Sequence, residues 1–295
     1  MRDGRPSRTA DRVALRRAAH QLLDRPLVFE DPLAISLLGA EQAAALRADP
    51  RASQPGPYAR FLRAFLVVRS RLAEDLLAGY VARGLAQYVV LGAGLDTFAH
   101  RNTNAALRVF EVDHPATQAL KRERLADAGL ATPSTLTFVP VDFARDPLGD
   151  ALEAAGLDPA RPAFFSWLGV VPYLELPAIR ATFATVALAT RAGGALVFDY
   201  GIKASRLPLH QRLVVQAFAA RVAAAGEPWL SAFVPEEIEA ELRAAGFESV
   251  EDWSPERLRA RYLEHRADEL ALGNAGRIAV ASRPLAPEPA TRDRA

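Results

Sequence analysis

Five apolar runs in this sequence each end in residues that can bind a polar organic ligand. The stretch "VVLGAGLDTF", 89–98, sets Gly92 and Gly94 around Ala93 and follows them with Asp96. "VFEVD" ends in Glu111 and Asp113, and "FVPVDF" ends in Asp142 and Phe143. "FFSWLGVVPY" carries Ser166, Trp167, Gly169 and Tyr173, and "GALVFDYG" carries Asp199 and Tyr200. Four of these five ends hold carboxylates. An ionised carboxylate is costly to bury without a partner. Their recurrence points to a ligand rich in hydrogen-bond donors.

The glycine turn narrows the ligand. A full G-x-G-x-x-G dinucleotide fingerprint would need a third glycine where Thr97 stands. That fingerprint brings a pyrophosphate against a helix N-terminus, and Asp96 would repel such an anion. The turn therefore suits a nucleoside ligand without phosphates. S-adenosylmethionine is one, with an adenosine, a sulfonium cation and an amino-acid tail whose ammonium a carboxylate would favour. Asp113 follows the turn by about 20 residues, the spacing at which an acid accepts hydrogen bonds from ribose hydroxyls; the alternative is a helix cap before Pro115. Asp142 can accept from the adenine amine while Phe143 packs on the ring, or it can cap the helix that follows. The tail carboxylate needs a cation, and Arg69 and Arg71 precede the first strand. On residues alone, a solvated face paired with Glu74 and Asp75 is the favoured reading of those arginines. Glu111 and Ser166 complete the candidate cofactor set. If the acceptor is a hydroxyl, a base would help, and Tyr173, Tyr200 and His100 are the candidates.

These groups must be positioned by alternating strands and helices. "YVVLGA", "LRVFEVD", "LTFVPVDF", "PAFFSWLGV" and "GALVFDYG" read as strands, with "ATQALKRERLADAGL", "DALEAAGL" and "ELPAIRATFATVALAT" as helices between them. Short connections and five alternations predict a parallel α/β sheet. Ligands of such sheets sit beyond the carboxyl ends of the strands, where the polar residues above fall. Residues 1–84 read as a helical cap. It includes a helix from Arg8 to Leu23, a start signal at Asp31–Pro32 and a long helix from Tyr58 to Arg83 stopped by Gly84. Residues 85–201 form the cofactor-binding core. The segment 202–234 breaks the rhythm and reads as a helical lid insertion. Residues 235–283 supply a helix and two closing strands, "SVEDW" and "RIAVASRP", so 1–283 form one domain. The Pro- and charge-rich segment 284–295 reads as a disordered tail.

Composition excludes several classes. With 36 basic and 35 acidic residues the formal charge is +1, which gives no electrostatic case for nucleic acid or an anionic membrane. There is no cysteine, so disulfides and thiolate chemistry are out. No metal site is expected, since the five histidines are scattered and H-E-x-x-H is missing. The charged N-terminus does not read as a signal peptide, no apolar run approaches the ~20 residues that span a bilayer, and a cytoplasmic location is expected. If S-adenosylmethionine is the ligand, a small-molecule methyl acceptor is the expected partner; the oligomeric state is not legible. Two rival classes remain: an NAD(P)-dependent oxidoreductase on a similar sheet, and a non-catalytic protein that binds S-adenosylmethionine.

In this order, "VVLGAGLDTFAHR", "VFEVDHPATQALKRERL", "FVPVDF", "FFSWLGVVPYL" and "GGALVFDYG" resemble the leucine carboxyl methyltransferase-like family. Within it they most resemble the bacterial branch of S-adenosylmethionine-dependent O-methyltransferases, several of them in polyketide or other secondary metabolism. "PSRTADRVALRRAAH" and "LVFEDPLA" are also typical of that branch, so the resemblance covers roughly residues 7 to 283. It implies a class I methyltransferase fold, Rossmann-like, with seven strands, the last antiparallel, and helices on both faces. It implies S-adenosylmethionine as cofactor, held by Gly92 to Asp96, Asp113, Asp142 and Phe143. It also assigns Arg69 to the methionine carboxylate and Arg101 to bracing the turn. The sequence departs from the family at Phe98, where many relatives have Arg, and at His100, where they have Tyr.

Overall fold

The computed structural model describes residues 8–285 except 55, 57, 144 and 225. Seven strands form one sheet: β1 (Gln87–Leu91), β2 (Arg108–Asp113), β3 (Leu136–Pro140), β4 (Ala163–Trp167), β5 (Gly194–Gly201), β6 (Ser249–Trp253) and β7 (Gly276–Arg283). Their order is β3-β2-β1-β4-β5-β7-β6. Strands β1 to β5 pair in parallel, and β7 runs antiparallel to both β5 and β6. This is the expected seven-stranded arrangement. From β1 the chain winds outward to β2 and β3, then crosses back to β4 and β5. The order therefore reverses between β1 and β4, where the carboxyl ends leave a crevice for a ligand.

The strands alternate between two cores because successive side chains point to opposite faces. Val89, Leu91, Phe110, Val112, Phe165 and Trp167 join Ile179 and Phe183 of α7 (Leu176–Ala189). Tyr88, Val90, Val109 and Phe164 join Val67, Val68 and Leu72 of α3 (Ala59–Val81). Strands covered on both faces read as continuous apolar runs, which is why they stood out in the sequence.

Around the sheet lie α1 (Arg8–Leu23), α2 (Ala40–Ala48), α4 (Phe98–Arg101), α5 (Pro115–Asp127), α6 (Leu148–Ala154), α8 (Leu209–Ala224), α9 (Pro235–Ala244) and α10 (Pro255–Tyr262). Three details differ from expectation. Asp31–Pro32 does not open an α-helix: a 3-10 turn at Ser36–Leu38 follows, and α2 starts only after Gly39. The Asp31 side chain is engaged by Arg17, which removes it as a cap. Helix α10 was not anticipated, although Ser254 caps it by accepting the Arg257 amide and Pro255 occupies its first turn. Short α4 was not anticipated either. The segment 202–234 leaves β5 and returns so that Phe233 bridges Ile202 in parallel, with α8 between the two ends. Leu285 packs partly buried against the second core, so the expected tail does not begin at 284; from 286 onward that expectation lies outside the described residues.

Candidate active site

The glycine turn caps β1. Gly92 has φ 68° and Gly94 has φ 51°, a region open to glycine and strained for other residues. The amides of Gly92 and Ala93 both donate to the Val112 carbonyl, at 2.8 and 3.0 Å. A Cβ at Gly92 would lie 2.3 Å from Val170 Cγ2, so the turn also needs glycine for close approach to the β4 loop. Asp113, at the end of β2, closes the arrangement: Oδ2 accepts the Gly94 amide at 2.6 Å and Oδ1 accepts the His114 amide at 2.7 Å. Burial raises the Asp113 pKa, and these two amides oppose the rise. The side-chain cap of α5 is made by His114, whose Nδ1 accepts the Ala116 amide at 3.2 Å. Asp113 thus braces the turn.

Asp96 faces the N-terminal cap helix. Its Oδ2 accepts Arg17 Nη1 at 2.9 Å, and its Oδ1 accepts the Phe98 amide at 2.7 Å. Burial works to raise its pKa. The charges of Arg17, Lys121 and Arg101 and the Phe98 amide overcome that and hold it at about 2. Arg17 also donates to Asp31 Oδ2 at 2.6 Å and Thr97 Oγ1 at 3.2 Å, and its guanidinium lies over the Phe29 ring. Arg101 bonds Thr97 Oγ1 at 2.9 Å and pairs with Glu74 through both terminal nitrogens. Phe98 packs edge-on against Tyr88 with ring centroids 4.9 Å apart. Helices α1, α3 and α4 are thereby tied to one turn. Arg17 was not singled out in the sequence, where nothing separates it from the neighbouring arginines of α1.

On the other side of the switch point, Arg69 Nη1 donates to Asp199 Oδ2 at 2.9 Å, and Asp199 Oδ1 accepts the Gly169 amide at 2.6 Å. A Cβ at Gly169, which has φ 77°, would lie 2.8 Å from the Arg69 guanidinium. Glycine lets the β4 loop and this cation touch. Arg69 Nε is buried with no hydrogen-bond partner. Of the two arginines weighed earlier, it is Arg71 that takes the i,i+4 partner, Asp75, at 2.7 Å.

Other candidates are engaged elsewhere. Glu111 and Lys121 form a buried pair at 2.5 Å, each about 1% exposed. Glu111 lies two residues before Asp113 and therefore deeper in the sheet, under α5, where burial raises its pKa. Ser166 shares a buried hydrogen bond of 2.8 Å with Tyr88 on the α3 face. Tyr200 is buried, donates to Asp252 Oδ1 at 2.5 Å, and Arg277 holds the same carboxylate. Burial, reinforced by Asp252, drives its pKa up. Both ring nitrogens of His100 are buried without a partner. Burial, then Lys121, lowers its pKa to about 4 against the pull of Asp96. Tyr173 stands half-buried at the end of the 3-10 turn Val171–Tyr173. Asp142 turns the chain after β3, its carbonyl accepting the Arg145 and Asp146 amides at 2.9 and 2.8 Å, while Phe143 packs on the first core. Among the described residues, no group of three His, Cys, Asp or Glu could hold a metal ion.

The chain is similar to several known proteins. A sequence model of the leucine carboxyl methyltransferase family matches residues 10–187, more than half of the chain. YktD of Bacillus subtilis (strain 168), whose name assigns it provisionally as an S-adenosyl-L-methionine-dependent methyltransferase, is 33% identical over 92% of this chain and 96% of its own. A Frankia alni protein with the same provisional assignment is 33% identical over 76% of each chain. A Thermobifida fusca structure, provisionally named a methyltransferase, superposes with a TM-score of 0.57 at 20% identity, covering 96% of this chain and 97% of its own. That likeness places the sheet in the class I methyltransferase fold. With a family match over most of the core and a relative aligned nearly end to end, the chain belongs to the leucine carboxyl methyltransferase family.

Proposed function

We propose that this enzyme transfers a methyl group from S-adenosylmethionine to an oxygen of a small molecule of secondary metabolism, a carboxylate or a hydroxyl. One observation carries the proposal. At the β1/β4 switch point, a glycine turn braced by Asp113 packs on the β4 loop at Val170, and the adjacent residue of that loop, Gly169, touches the guanidinium of buried Arg69, whose Nε has no partner. A guanidinium has five donors in a fixed fork. Arg69 therefore keeps capacity for a ligand carboxylate while paired with Asp199. Backbone of Gly92 to Gly94 would receive the nucleoside, Asp113 the ribose and Asp142 with Phe143 the adenine. When bound, S-adenosylmethionine supplies a methyl group already activated on a sulfonium. The chain's own residues then have to hold the acceptor in line and exclude water.

The candidate bases favour a carboxylate acceptor. The Tyr200 hydroxyl keeps its proton and donates a hydrogen bond to Asp252, and His100 is a weak base with its ring nitrogens closed off. A carboxylate needs no deprotonation by the enzyme at neutral pH. Tyr173 is left to position the acceptor. Calorimetric titrations with S-adenosylhomocysteine and with NADH test the reading. Binding of S-adenosylhomocysteine alone supports it, and binding of NADH alone overturns it. Paired acids and alcohols in a methyl-transfer assay then separate the acceptor classes. Cofactor binding without turnover on any of them would favour a non-catalytic binding protein.

A further inference from the structure

The glycine turn is enclosed by more carboxylates than cations. Direct contacts join them into one network around residues 92–98. Asp113 Oδ2 accepts the Gly94 amide at 2.6 Å, and Asp96 Oδ1 accepts the Phe98 amide at 2.7 Å. Arg17 pairs with Asp96 at 2.9 Å and with Asp31 at 2.6 Å. Arg101 pairs with Glu74 and lies 3.7 Å from Asp31. Both arginines also donate to Thr97 Oγ1, in the turn itself. Two further cations are matched one to one: Lys121 by Glu111 at 2.5 Å, and Arg69 by Asp199 at 2.9 Å. His100 adds no charge at neutral pH, because burial, then Lys121, holds its pKa at about 4. Among the described residues, Asp31, Glu74, Asp96 and Asp113 thus face only Arg17 and Arg101, four negative charges against two positive ones.

The shortage of cations shows in the geometry. Asp31 is 1% exposed, yet its Oδ1 has no hydrogen-bond partner and Arg101 reaches it only at 3.7 Å. Asp113 is held by backbone amides, with no guanidinium or ammonium of the described residues within ion-pair distance. Burial, seconded by Asp96, raises the Glu74 pKa against the pull of Arg101. Buried charge without full compensation is costly. A cationic ligand at the turn relieves that cost, and a neutral one does not.

The two forms of the proposed cofactor differ in this respect. S-adenosylmethionine carries a sulfonium, an ammonium and a carboxylate, and is a net monocation. S-adenosylhomocysteine lacks the sulfonium and is net neutral. In the transfer the methyl–sulfur bond breaks, its electron pair stays on sulfur, and the methyl carbon bonds the acceptor oxygen, so the cofactor loses its positive charge. Charges shielded from water attract strongly and are little screened by salt. We infer that the excess of Asp31, Glu74, Asp96 and Asp113 over Arg17 and Arg101 selects the cationic methyl donor over its neutral product, so that transfer itself loosens the product. Asp96 and Glu74 act through their field, since protein donors already hold their oxygens. This rests on the methyltransferase reading above.

The test is the ratio of two dissociation constants, measured by calorimetry on the full chain with S-adenosylmethionine and with S-adenosylhomocysteine, no acceptor being present. The native chain binds S-adenosylmethionine at least about tenfold more tightly. Glu74→Gln removes one negative charge and lowers that ratio by at least about threefold. Asp96→Asn lowers it likewise from the other arm of the network. The double variant Glu74→Gln/Arg101→Gln removes one charge of each sign, leaves the excess unchanged and restores the native ratio. Damage to the turn alone weakens both ligands alike and leaves the ratio where it was. Equal affinities or a tighter product in the native chain, a ratio unmoved in either single variant, or a double variant that keeps the low ratio overturns the selection. Binding of neither ligand by the native chain overturns the methyltransferase reading instead.

Discussion

At the scale of single residues, Asp113 and Arg69 hold the fold together and, on the proposed reading, also hold the ligand, so their variants need two readouts. Asp113→Ala strips the acceptor from the Gly94 and His114 amides. Leaving buried donors unpaired costs about 1–3 kcal/mol, which a denaturant midpoint will show. S-adenosylhomocysteine affinity per folded molecule falls further, by at least about tenfold, as the ribose loses its acceptor. Unchanged affinity would remove Asp113 from the ligand site and leave it as a brace. Arg69→Gln leaves Asp199 buried with the Gly169 amide as its remaining bond among those described. Breaking such a pair costs about 3–5 kcal/mol. The double variant Arg69→Gln/Asp199→Asn relieves the stranded charge and recovers most of that stability, but cofactor affinity stays low. Recovery of both together would mean that Arg69 acts on the fold alone. The place of Asp113 beside the glycine turn was legible in the sequence because that spacing follows from β-strand geometry. Glu111 and Ser166 were misplaced by the same logic taken one step too far. Sharing a strand with a site residue does not bring a side chain to the edge, and both lie deeper under covering helices.

At the scale of elements, the long apolar runs gave away the sheet, while the contacts that fasten α1 to it were not readable. Arg17 and Asp96 are 79 residues apart, and neither carries a local sign of its partner. Asp31 shows the converse, a strong local start signal cancelled by a distant arginine. The Arg17–Asp96 pair gives α1 a pH signature. Folding depresses the Asp96 pKa from an ordinary 3.8 to about 2. The stabilisation is fully present above pH 3.8 and is lost as pH falls through 2, amounting to about 2 kcal/mol. Asp96→Asn flattens that part of the acid-unfolding curve. His100 acts in a higher window: its pKa is lowered from 6.5 to about 4, so its contribution holds above 6.5 and disappears as pH falls through 4. His100→Phe reduces the slope between those values and leaves the lower window intact. Hydrogen exchange at pH 7 locates the first effect: Arg17→Gln should raise exchange in α1 and the 92–98 turn without opening β4 or β5. Uniform exchange across the sheet would show that α1 is part of the global fold and not a separately docked cap.

At the scale of the whole molecule, a net charge of +1 offers little long-range steering, and on the proposed reading selection of the acceptor falls to local elements, above all the 202–234 insertion. Its ends are pinned close together: the Phe233 amide donates to the Gly201 carbonyl at 2.9 Å, and the Lys203 amide to the Phe233 carbonyl at 3.0 Å. Between those points the chain makes a closed excursion that carries α8, Arg221 and the Trp229–Leu230 segment. The bridge is parallel, so a replacement must loop back past it, and a Gly-Ser linker of about six residues in place of 205–230 has that reach. The contacts of Asp113, Arg69 and the glycine turn described above come from other parts of the chain. The excised protein should therefore fold, with a lower melting temperature because buried Leu207 and Val222 are lost, and bind S-adenosylhomocysteine within about threefold of the native chain. Methyl transfer should fall by at least about a hundredfold, since the segment that docks on the Tyr173 turn no longer helps to exclude water or orient the acceptor. Loss of cofactor binding in a variant that still folds would make the insertion part of the cofactor site, and retained turnover would move the acceptor site off the insertion altogether.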